Sequence, residues 1–202
     1  MKFTLLIALA VTFLADPGLA FDKEGKSDLK WYLDCYWRQY LDGEIPSDAV
    51  QAGHDMLQRP TYIGQALVYT VAFNQTIYAE VPFNLNPFTE TQFLGVGGPI
   101  AVQSHIKILC CASEKSVEWV RTTPERIFFD LANRKPVLGG QQLHLEEPIK
   151  HDLLIGRTLP SKEQIVGKIL MNNADHVIFY YVNGSNTAML RVSPYEVLVY
   201  KA

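Results

Sequence analysis

Two tracts of this chain recur. Tyr62-Ile63-Gly64-Gln65-Ala66 is answered by Leu154-Ile155-Gly156-Arg157-Thr158, and Ile106-Lys107-Ile108-Leu109-Cys110 by Tyr195-Glu196-Val197-Leu198-Val199. Ile63 and Ile155 are 92 residues apart, and Ile106 and Tyr195 are 89 apart. Repetition at a near-constant offset constrains a fold more than any local propensity does. Each copy has an apolar face to bury, and the other copy is the available partner.

The periodicity inside the copies is two. Thr76-Ile77-Tyr78-Ala79-Glu80-Val81 sets Ile77, Ala79 and Val81 on one face, and Tyr195 to Tyr200 alternates in the same way except at Leu198. His176 to Val182 is more continuously apolar, as a strand covered on both faces would be. Glycine and proline break these runs from Gly43 to Pro99 and again from Pro136 to Gly184. Short strands with frequent breakers predict an all-β fold. Helix is expected only in the first twenty residues and around Ser27 to Tyr40, where Leu29, Leu33, Tyr36 and Trp37 recur at helical spacing.

The first twenty residues stand outside the repeated body. Lys2, the apolar run Leu5 to Leu14 and the small-residue site Gly18-Leu19-Ala20 have the order of a secretory signal peptide, with cleavage expected after Ala20. The run is too short to span a bilayer, so no membrane span is expected. A net charge of −3 offers no basic surface for nucleic acid. A secreted, extracellular route favours disulfides, and the three cysteines suggest that Cys35 bonds to one of the adjacent pair Cys110 and Cys111, leaving the other thiol buried or paired between chains. The alternative is that all three are small apolar residues. No close His/Cys set points to a metal, and no cofactor is implied. Two sequons, Asn74-Gln75-Thr76 and Asn183-Gly184-Ser185, are glycosylation candidates. Asn183-Gly184 also reads as a type I′ hairpin turn, which favours Asn74 as the modified site.

Aligned, the copies run from Trp37 to Cys111 and from Trp119 to Ala202, with 21–36 as an N-terminal extension and 112–118 as a linker. Each opens with a tryptophan and passes a small pair (Ala52-Gly53, Gly139-Gly140). The Ile-Gly strand follows, then a short strand (Ala79-Glu80-Val81, Gly167-Lys168-Ile169), a glycine turn and a closing strand. This order, and above all Ile155-Gly156-Arg157 with Tyr195-Glu196-Val197-Leu198-Val199, resembles the DM-nine repeat of invertebrate proteins. The resemblance implies two tandem repeats packed about a pseudo-two-fold axis, free to exchange strands, and a homodimer is compatible with it. It also implies recognition or innate immunity, since some members bind mannose.

In the lectin-like members an aspartate after the small-Gly pair and a lysine on the Gly-Lys strand hold the sugar. Carried over by position, the first copy offers Asp55 and Glu80, and the second Gln142 (or Gln141) and Lys168. Glu80 facing Asp55 would place two carboxylates together, which calls for a cation such as calcium or a different ligand, unless the two are solvated and far apart. Gln142 beside Lys168 is the better polar site, against the alternative that Lys168 is an ordinary exposed strand lysine. His144 with Glu146 and Glu147, His151-Asp152 and Asp175-His176 lack a nucleophile and read as solvated loops. Gly95-Val96-Gly97-Gly98 reads as a turn, because no Lys-Ser/Thr and helix follow it. The expectation is therefore a non-enzymatic protein whose partner is a glycan or microbial surface, or else an interaction module with a vestigial sugar pocket.

Overall fold

The computed structural model describes residues 35–201 except 73–74, 90–91, 96–97, 102–104, 146–148, 160, 174–175, 184–186 and 191. The proposed signal peptide and Asn74 lie outside the described residues. The fold is all-β, as the period-two pattern predicts. The first half contains β1 (Cys35–Gln39), β2 (Gln51–His54), β3 (Pro60–Ala72), β4 (Gln75–Leu85), β5 (Gln92–Gly95), β6 (Gly98–Ala101) and β7 (Lys107–Cys111). The second contains β8 (Val117–Thr122), β9 (Lys135–Pro136), β10 (Leu138–His144), β11 (Ile149–Thr158), β12 (Val166–Asn173), β13 (His176–Asn183), β14 (Thr187–Leu190) and β15 (Tyr195–Tyr200).

One antiparallel sheet runs β1-β7-β3-β4-β10-β11-β12-β13-β14. Off this path, β2 pairs with β3, and β15 pairs with β11, β8 and β9. β5 and β6 form a separate two-stranded antiparallel sheet, with Gly95 opposite Gly98. The seam between the halves is the pairing of β4 with β10, where Gln142 faces Ala79 and His144 faces Ile77. Among the described residues no helix is long and apolar enough to cross a membrane.

The tracts that recur in sequence recur in register. Across β3 and β7, Gly64 faces Ile108 and Gln65 faces Lys107; across β11 and β15, Gly156 faces Val197 and Arg157 faces Glu196. A bulge interrupts β2 between Gln51 and Gly53, and another interrupts β10 between Leu138 and Gly140. Trp37 faces Leu109 and Trp119 faces Leu198 where each opening strand meets its closing strand. The same registers correct one correspondence drawn from sequence. Phe83 lies opposite Gly64 and Gly167 opposite Gly156, so the counterpart of Lys168 is Asn84 rather than Glu80. Glu80 instead matches Gln164, and each packs against the bulge glycine of the other half, Gly140 and Gly53 respectively.

Three further expectations are corrected. Residues 35–39 are strand and not helix, because Cys35 to Gln39 pair along the whole of β7. A short helix, α1 (Ile127–Asp130), occurs instead between β8 and β9, with only Ile127 buried. Asn183 pairs with Thr187 and Val182 with Ala188, which is not the register that a two-residue type I′ turn at Asn183-Gly184 would give; residues 184–186 themselves lie outside the described residues.

Cys35 and Cys111 face each other and are disulfide-bonded, while Cys110 is a buried free thiol. Burial, reinforced by the nearby Asp48 carboxylate, pushes that thiol up to about 11. Apolar side chains form three clusters. One gathers β4 with Ile108 and Leu153, and another surrounds Phe179 and Tyr195. The third is shared between halves: Ala52, Ile63 and Leu109 pack with Val137, Ile155, Val166 and Leu198.

Candidate functional site at the crossing of β4 and β12

Lys168 sits on β12 between Ile155 of β11 and Tyr180 of β13, and is 5% exposed. It is not the exposed strand lysine that its local sequence would suggest. Among the described residues its ammonium has no ion-pair or hydrogen-bond partner; it lies over the Tyr180 ring, 5.5 Å from the centroid. Burial pulls its pKa down to about 8, since taking a charge out of water disfavours the protonated form. The side chain lines a cleft of about 10 Å³, room for one water, bounded by Pro82, Phe83 and Asn84 of β4 and by Val166, Gly167, Tyr180 and Tyr181. Asn84 Oδ1 accepts from the Val166 backbone N–H at 3.3 Å, which ties β4 to β12 at the cleft wall. A pyranose ring does not fit in this volume, but one hydroxyl does.

Asp55 is equally buried but fully engaged. Oδ1 accepts from the N–H groups of Leu57 and Arg59, both at 2.9 Å, and Oδ2 accepts from Arg59 Nε at 2.8 Å and Asn86 Nδ2 at 3.3 Å. Burial alone would raise its pKa, but these donors and the Arg59 guanidinium hold it at about 2. Its carboxylate closes the β2–β3 turn and has little acceptor capacity left for a sugar. The Arg59 guanidinium also covers the Phe88 ring at 4.4 Å. The loop before β12 packs on this turn: Gln164 N–H donates to the His54 carbonyl and Gln58 Nε2 to the Lys162 carbonyl.

Glu80 lies elsewhere. On β4 it is five residues from Leu85, the strand's last residue before the Asp55 partner Asn86, about 17 Å away, and its carboxylate accepts from Lys107 Nζ at 3.1 Å. The two carboxylates do not meet, and Glu80 has its counter-charge in Lys107. Gln142 is buried on β10, and its amide nitrogen donates to His144 Nε2 at 3.0 Å. The His144 and His151 rings meet edge-on at 5.8 Å, so both are half-buried strand residues and not solvated loop. Gln142 faces His151 and Ala79, whereas Lys168 faces Ile155 and Tyr180, so these two do not converge by pairing. Among the described residues no group of three or more His, Cys, Asp or Glu could hold a metal ion.

Two residues escaped the sequence reading. Asn84 has no residue-type likeness to Lys168, and only the β3–β4 and β11–β12 registers put the two at matching positions. Arg157, a residue of the Ile155-Gly156-Arg157 motif, is also an anchor. It donates to Glu196 at 2.6 Å and to the Ala52 carbonyl, and covers Trp119 at 4.2 Å. Compared with protein-family models and with curated proteins, the chain has no match.

Proposed function

We propose that this is a secreted, non-enzymatic recognition protein of duplicated architecture that binds glycans in a lectin-like way at the β4–β12 cleft. One observation carries this reading: a buried lysine, unpaired among the described residues, lines a cleft beside an asparagine amide and two tyrosines. An ammonium kept dry without a counter-charge costs stability, and a ligand oxygen relieves that cost. The small cleft volume fits a single hydroxyl inserted from a glycan whose ring stays outside, with Lys168 donating and Asn84 able to hydrogen-bond beside it. The disulfide supports an extracellular setting, and the recurrent registers support the repeat architecture that the DM-nine resemblance implies, along with a role at microbial surfaces.

The test is a glycan array and a mannan titration with the full chain and with Lys168→Met. Binding that falls at least about tenfold in the variant supports the reading; an array blank for the wild type sinks it. A second reading, an interaction module with a vestigial pocket, is favoured by the saturation of Asp55. Under that reading Lys168→Met alters no binding and only raises stability.

A further inference from the structure

The outer face of β3, β4, β10 and β11 carries two parallel rows of side chains. In one, Tyr69 faces Tyr78, Tyr78 faces Leu143 and Leu143 faces Lys150. In the other, two residues along each strand, Leu67 faces Glu80 and Gln141 faces Asp152. Gln142 opposite Ala79 brings Gln141 beside Glu80 and joins the second row across the seam. Opposed residues of an antiparallel pair project from the same face, so both rows share one surface. Tyr69 is 68% exposed, Leu67 48% and Tyr78 41%, so neighbouring aromatic and aliphatic side chains lie bare on this face.

We propose that this face binds a linear, uncharged polysaccharide lying across the strands, with sugar rings on the Tyr69–Tyr78 row and hydroxyls on the Glu80–Gln141–Asp152 row. The rows are about 7 Å apart along the strands, close to the width of a pyranose with its hydroxyls. The aromatic row offers a platform for C–H faces, and the polar row offers carboxylate and amide acceptors for neighbouring hydroxyls. The polar row is already ordered, because Gln141 donates to Asp152 at 3.3 Å and Lys107 to Glu80 at 3.1 Å. Glu80 and Asp152 are balanced by Lys107 and Lys150, so the face attracts neither sign of charge, which fits a neutral partner. A second copy fits poorly. Stable protein interfaces bury about 800 Å² per partner and deplete charge at their centre, whereas here Glu80 and Lys107 stand beside the apolar row. This surface is separate from the Lys168 cleft, and neither binding mode depends on the other.

The experiment is pull-down of the full chain on insoluble β-glucan, mannan and chitin, followed by calorimetry with soluble oligosaccharides of whichever binds. Tyr69→Ala/Tyr78→Ala is expected to weaken binding by at least about tenfold, and Asp152→Ala to weaken it less. Tyr78→Phe, which keeps the ring, is expected to leave binding intact. The proposal is overturned if the wild type binds none of the three, or if the double alanine variant binds as well as the wild type. It is also overturned if light scattering shows a wild-type dimer that the double variant loses, because the face then belongs to a second copy.

Discussion

Lys168 carries a charge into the interior, and its energetics can be read from pH. Its folded pKa of about 8 lies below the ordinary 10.5, so below pH 8 both folded and unfolded states are protonated and the whole burial cost is present. Stability attributable to this residue should rise as pH climbs from about 8 to 10.5, as the folded state sheds a proton that the unfolded state keeps. The shift corresponds to about 3 kcal/mol, so Lys168→Met should raise the neutral-pH melting temperature by roughly 5 °C or more and flatten the alkaline rise. A lower melting temperature would show that the ammonium is satisfied after all. Asp55 has the opposite sign. Its folded pKa of about 2 lies below the ordinary 3.8, so its contribution is present above pH 4 and lost as pH falls through 2. Asp55→Asn should therefore melt below the wild type at neutral pH, and thermal scans of the two should converge near pH 2.

At the scale of elements, the bulges and the disulfide fix what the strands can do. Gly140 has φ +150, and a Cβ there would stand 2.1 Å from the Glu80 carbonyl oxygen, a backbone atom that cannot swing away. Gly140→Ala should cost about 3 kcal/mol or more, measured by urea unfolding; a loss below about 1 kcal/mol would mean that the seam yields. The Cys35–Cys111 bond closes a separation of 76 residues, so Cys35→Ser/Cys111→Ser should lose about 4 kcal/mol on the chain-entropy account. Cys110 should resist thiol reagents until the protein unfolds, because it is buried and poorly ionised. The sequence made the strands legible through alternation and breakers, and made Cys35 a bonding partner through the expected secretion. It misread 35–39 as helix because Leu29, Leu33, Tyr36 and Trp37 match that period, while pairing with β7 overrides local spacing.

At the scale of the molecule, β4–β10 pairing and the shared Ile63–Ile155–Leu198 cluster join the halves into one sheet. Fragments 35–111 and 112–201 should each lack a cooperative thermal transition by circular dichroism, since each leaves that cluster half exposed. A sharp melt of either fragment alone would contradict this. The sequence by itself determined the all-β class, the recurrence of the Ile-Gly and closing strands, and the polar residues available for a site. These follow from local alternation and spacing, which need no knowledge of neighbours. Only the tertiary structure decided what those residues do. Register is set where strands meet, so it alone moved the counterpart of Lys168 from Glu80 to Asn84, occupied Asp55 with Arg59 and its own turn, gave Glu80 to Lys107 and left Lys168 unpaired among the described residues. Whether a charge is spent or available is a matter of three-dimensional company, and residue type does not record it.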